Sequence, residues 1–189
     1  MGAFEYLLLL MAVILGLALS DLAVSLHRLL NAGRRIRWDV LTVLAAALAF
    51  VRIITQWWGL YHGDQIARGV TFAMFMGFLI SGVLLFLMAA AALPDEIHGE
   101  EVDLGRHYWS ISRRFWLIFA GQWCVMNGVV AWAQIRVLGA HVAPGTLLTL
   151  AIPLAAALMA FTRSRALHLV ALGGVLIFYL ASYSGVTLT

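Results

Sequence analysis

The chain has 189 residues, of which 63% are hydrophobic and 11% charged, against about 25% charged in a soluble domain. Together with a mean hydropathy of +0.97, this excludes a water-soluble globular fold and leaves one membrane domain with no room for a soluble one beside it. All twelve cationic residues are Arg, so Schiff-base chemistry on a lysine is excluded. The single Cys124 rules out an internal disulfide, and no basic tract with stacking aromatics offers a nucleic-acid surface.

About 20 apolar residues are needed to cross a bilayer as a helix, and six stretches are candidates, the fifth the weakest: 4–30, 40–61, 70–93, 115–135, 146–161 and 166–184. The first lacks a basic leader region and carries Glu5, so it reads as a retained span and not a signal peptide. On it Asp21, Ser25 and Arg28 fall at i, i+4 and i+7, one helical face. It ends at Asn31-Ala32-Gly33, followed by Arg34, Arg35 and Arg37.

The second stretch holds Arg52 near its middle. An arginine at bilayer depth costs about 2.5–3.5 kcal/mol on insertion scales, so a compensating partner is expected. Asp21 is the only comparably deep carboxylate, and the short connection between the first two spans would let their faces meet. The expected Asp21–Arg52 pair is either an ion pair that fixes helix register or a polar gate, with Gln56 on the same face as Arg52. Trp57, Trp58, Tyr61 and His62 form an aromatic belt at the outer end, before the Gly63-Asp64 break.

The third stretch contains Gly77 and Gly82, small residues that allow close helix contact, and stops at Pro94-Asp95. Residues 94–106 form an acidic loop with Asp95, Glu96, Glu100, Glu101 and Asp103, together with His98 and Gly99. Their spacing matches no established ligand set, so a solvated loop without a metal is expected. Next comes His107 to Trp116, which mixes aromatic and cationic residues as a helix at headgroup level does before turning inward. Trp109, Arg113, Arg114 and Trp116 are its expected lipid contacts.

The fourth stretch carries Gln122 and Asn127, amides that act as interhelical glue or line a hydrated pathway with Arg52. The fifth, opened by Pro144-Gly145, is short and contains Pro153. That proline is tolerable where neighbours re-satisfy the freed carbonyl.

Arginine counting sets the orientation. Arg28, Arg34, Arg35 and Arg37 flank the first connection, Arg106, Arg113 and Arg114 the third, and Arg163 and Arg165 the fifth; the opposite side has only Arg68 and Arg136. The positive-inside rule places the first, third and fifth connections in the cytoplasm and both termini outside. Residues 33–50 and 139–159 share a Leu-Thr start and an Ala-rich continuation, the pattern of a 3+3 inverted repeat. Phe4-Glu5-Tyr6, residues 17–22, Gln56-Trp57-Trp58 and Leu93-Pro94-Asp95-Glu96 resemble a group of small multi-span membrane proteins of bacteria. That resemblance implies a bacterial inner (cytoplasmic) membrane and no particular activity.

The sequence therefore predicts an all-α polytopic integral membrane protein of six transmembrane helices. It is expected to be a channel or small-solute transporter whose polar site comprises Asp21, Arg52, Gln56, Ser25 and Arg28, with Gln122 and Asn127 along the pathway. Its expected partners are membrane lipid and a second copy or another membrane protein. The alternative is an accessory or scaffold subunit that moves nothing. No G-x-S-x-G, H-E-x-x-H or Walker A sequence is present, so neither an enzyme nor a cofactor is expected.

Overall fold

A computed structural model describes residues 2–33, 36–61, 71–95, 101–136, 139, 141 and 149–183. Six helices account for most of them: α1 (Ala3–Ala32), α2 (Val40–Tyr61), α3 (Phe72–Ala92), α4 (Leu104–Arg136), α5 (Ala151–Met159) and α6 (Arg165–Tyr183). Two short strands, β1 (Ile36–Arg37) and β2 (Val102–Asp103), precede α2 and α4 and pair in parallel, Ile36 opposite Val102 and Arg37 opposite Asp103. Five of the described helices, all but α5, are long and apolar enough to cross a membrane. Their outward faces present Leu17, Phe72, Val170 and Ile177 among many large apolar side chains, more exposed apolar surface than a water-soluble monomer carries.

The helix ends follow local chemistry. Gly33, with φ of +58°, closes α1 in a conformation that a side chain would oppose. Asp39 accepts the Leu41 amide at 2.9 Å and starts α2, and Thr71 accepts the Met74 amide at 3.3 Å to start α3. Asp103 accepts the Arg106 amide at 3.0 Å and starts α4. Each supplies an oxygen to a backbone donor that has no partner inside its helix. Two of these capping residues also hold the bundle's end together. Asp39 takes the Arg165 guanidinium at 2.6 Å, joining the starts of α2 and α6, and Asp103 sits 3.9 Å from Arg37 on the paired strand.

Helix α2 is the centre of the bundle, packed against α1, α3, α4 and α6, whereas α1 packs chiefly on α3 and α3 chiefly on α4. Half of α2's most apolar window is buried, the largest share among the five long helices. Helices α4 and α6 run parallel: Tyr108 meets His168 near their starts and Trp123 meets Tyr179 a few turns on. The chain between them must therefore return along α4. Thr149 bonds Asn127 at 2.7 Å and the Arg113 guanidinium lies over the Phe161 ring, so the segment holding α5 runs antiparallel to α4.

Several expectations need correction. The helix at headgroup level does not turn: α4 begins at Leu104 and continues unbroken to Arg136, about 50 Å at 1.5 Å per residue. The helix that holds the expected fourth span thus begins eleven residues before 115 and takes in residues 104–106 of the expected acidic loop. Its last acid is also not free in solvent, because Asp103 belongs to the strand pair. Within the expected fifth span the helix is nine residues long, Ala151–Met159, about 14 Å; the rest of 146–161, with Pro144 and Gly145, lies partly outside the described residues. In the two segments of the expected repeat the described helical residues are 40–50 and 151–159, and 140 and 142–148 of the second lie outside the described residues. Arg34, Arg35, His62, Gly63, Asp64, Arg68, Glu96, His98, Gly99 and Glu100 lie outside the described residues.

Candidate functional site

Arg52 stands on the central helix, 6% exposed, and Asp21 is not its partner. Its Nη2 donates to Gln122 Oε1 at 2.6 Å and its Nη1 to Thr55 Oγ1 at 3.4 Å. The guanidinium carbon lies 4.7 Å from the Tyr179 ring centroid and 5.5 Å from that of Trp123, within the range of cation–π attraction. No carboxylate pairs with it among the described residues.

The expected Asp21–Arg52 pair fails for a geometric reason. Adjacent helices in the chain share only one strip of surface, and α1 turns its polar strip towards the end of α3. Ser25 donates to Asp95 Oδ1 at 3.3 Å and Arg28 donates to the Asp95 carbonyl at 2.7 Å. Asp21, on that same strip, is half-buried, and its Oδ2 has no hydrogen-bond partner. Asp21, Ser25 and Arg28 thus belong to a cluster at the α1–α3 end, separate from Arg52.

Around Arg52 a polar network crosses three helices. Gln122 Nε2 donates to Ser81 Oγ at 3.0 Å and to Gln56 Oε1 at 3.3 Å, and Gln56 Nε2 reaches Met126 Sδ at 3.5 Å. Gln122 is fully buried, and its two ends do different work. The carbonyl holds the cation, and the amide nitrogen is held in turn by α2 and α3. Sequence reasoning found Arg52, Gln56 and Gln122 but missed Thr55, Ser81, Trp123 and Tyr179. Ser81 and Thr55 are too common in apolar helices to stand out. The aromatic pair was legible only as two polar-edged rings within apolar runs.

This network floors a cavity of about 490 Å³. Its wall begins at Arg52 on α2, Trp123 on α4 and Phe178 on α6. From there it runs only towards the later residues of each, to Leu60, Val130 and Tyr183. In the other direction Leu48, Ala49 and Phe119 are fully buried. Asn127 lines the cavity, bonded to the Trp123 carbonyl and to Thr149. Three buried polar atoms on the wall residues have no hydrogen-bond partner: Arg52 Nε, Trp123 Nε1 and the Tyr179 hydroxyl.

The expected lipid contacts divide. Arg113 and Arg114 are exposed, but Trp116 is not at the surface; it is 1% exposed. Its indole donates to His168 Nδ1 at 3.1 Å and to the Tyr108 oxygen at 3.2 Å. His168 also contacts the Thr162 carbonyl through Nε2 at 3.0 Å. A carbonyl only accepts, so the neutral ring carries its proton on Nε2 and accepts at Nδ1. Trp109 packs edge-on against His168, half-buried. Burial of the Trp116 and Trp109 rings against α6 explains why α4 continues straight through this region. Below it, Arg37, Asp39, Asp103, Arg106 and Arg165 line a polar cleft of about 370 Å³. Hydrogen bonds from the Arg106 and Gly105 amides, aided by Arg37, hold the Asp103 carboxyl below its ordinary pKa. Among the described residues no group of His, Cys, Asp and Glu could hold a metal.

Comparison with protein-family models, with curated proteins and with solved structures finds no match, and the chemistry of the site is read from its own geometry.

Proposed function

We propose that this chain is a six-crossing integral membrane protein that carries a small solute, with the cavity above Arg52 as its solute site. The α5 segment makes the fifth crossing as the return path from α4 to α6. Arg37, Arg106 and Arg165 all lie at the end where α2, α4 and α6 begin, which the positive-inside rule assigns to the cytoplasm. The cavity then faces the outside, as do both termini.

The observation that carries this reading is a buried guanidinium that faces a cavity and has no carboxylate partner among the described residues. Ionisable groups inside membrane helices line solute or ion pathways or pair with one another, and Arg52 pairs with no described acid. A cavity whose described lining lies on one side of Arg52, with buried Leu48 and Ala49 on the other, fits a carrier that alternates between faces better than a continuous pore. Its single positive charge favours anions and disfavours cations.

Purified protein in liposomes tests this through uptake of small anions. Uptake well above that of protein-free vesicles, reduced at least tenfold by Arg52→Gln in folded protein, is the expected result. Equal uptake by Arg52→Gln and the parent would sink it. A stoichiometric membrane-protein partner on gentle purification, without flux, would put the accessory-subunit reading in its place.

A further inference from the structure

The solute site names its own ligand class. We infer that the cavity binds an organic monoanion, a carboxylate carried on an apolar body. This deepens the transport reading by naming its solute, but binding can be measured whether or not the solute is moved.

Charge comes first. Among the described residues Arg52 is the only formally charged one on the cavity wall, and no described Asp or Glu lines it. One negative charge neutralises that wall; a second would be buried without compensation, at the cost of desolvating an unpaired ion. Donor count points the same way. Arg52 Nε, Trp123 Nε1 and the Tyr179 hydroxyl are all buried and unpartnered, on residues 6%, 7% and 4% exposed. Buried donors are ordinarily satisfied, and the two N–H groups can only donate. A carboxylate, acceptor-only with two oxygens, would satisfy them after a small turn of these cavity-lining side chains towards the space, and guanidinium groups recognise it with particular strength.

The rest of the wall argues for the body. Leu60, Phe78, Val129, Val130 and Phe178 surround the space above the donors. A bare halide would leave these walls uncovered while giving up its own hydration. A volume of about 490 Å³ lies in the range of small-molecule sites, which are mostly apolar with a few polar groups that fix orientation. A soluble acid is favoured over a lipid by depth. Arg52 lies about 14 Å along α2 from Tyr61, below the level of headgroups, and Asn127, Ser182 and Tyr183 give the upper cavity a polar lining.

Binding of radiolabelled benzoate to the purified full-length protein in neutral detergent tests this. Saturable binding is expected, with benzamide, its neutral counterpart, competing at least a hundredfold more weakly. Tyr179→Phe, which keeps the ring, should weaken benzoate about tenfold, and Arg52→Lys, which keeps the charge but removes Nε, about a hundredfold. A melting curve confirms that each variant is folded, and if Arg52→Lys is not, the benzamide comparison and Tyr179→Phe decide. Benzamide competing as well as benzoate, or chloride displacing it with equal affinity, would overturn the inference. So would displacement by phosphatidylglycerol added to the micelles, which would assign the site to lipid. Benzoate binding without flux refutes transport and leaves the ligand class standing; anion flux without benzoate binding does the reverse.

Discussion

Arg52 is a cation kept in the bundle by neutral groups. Gln122 supplies one oxygen at 2.6 Å, Thr55 another at 3.4 Å, and two aromatic rings supply their faces. An ion pair would tie its charge to another side chain, whereas this arrangement leaves the charge available to whatever enters the cavity. If Asp21 and Arg52 act separately, their substitutions should add. In a double-mutant cycle, Asp21→Asn and Arg52→Gln are expected to couple by less than about 0.5 kcal/mol in unfolding free energy, as distant sites do. Coupling of 1 kcal/mol or more would restore the ion pair. The sequence made Arg52 conspicuous because a charge in an apolar run is costly. It could not choose the partner, since amide and aromatic partners look like ordinary helix residues until the helices are packed.

At the scale of elements, the contact between α3 and α4 sets the geometry of the network. Gly77 faces Val129 so closely that a Cβ built there would fall inside the valine side chain. Close approach of this kind brings Ser81, one turn further along α3, within 3.0 Å of Gln122. Gly77→Ala should therefore destabilise the protein by about 1–3 kcal/mol, the usual cost of overpacking, seen as a lower melting temperature in detergent. Gly128→Ala, where a Cβ meets nothing within 4 Å, is the matched control and should change little. Equal effects of the two would show that α3 and α4 do not meet in this way. Glycine in these helices was legible as a sign of close contact, but which glycine makes it was not. Helix α4 shows a second limit. A mixed aromatic and basic segment looks interfacial, yet Trp116 and Tyr108 turn their polar edges inward to His168, a partner sixty residues from Tyr108.

For the molecule as a whole, hydropathy was enough to find the long helices, because the cost of unpaired backbone in lipid enforces long apolar runs. Relative chain direction follows from the parallel run of α4 and α6, and in the proposed arrangement the arginines give the sidedness. A reporter that is active only outside the cytoplasm, fused after Thr189, is expected to be active. Activity of a cytoplasm-only reporter at that position would reverse the orientation and turn the cavity to the other face. Less legible was the segment between α4 and α6, where nine helical residues with Pro153 carry too weak a periodic signal to fix their own length. The joint between α2 and α6 has a mechanical consequence. The two helices are bolted at their starts by Asp39 and Arg165 and again at mid-height by Arg52 and Tyr179. A pair fixed at two heights behaves as one strut and has no pivot between its members. Helix α4 joins the same strut at both heights, Leu104 to Thr42 and Gln122 to Arg52, so in the proposed carrier the floor of the cavity would be exposed to the opposite side by movement around this three-helix unit and not within it.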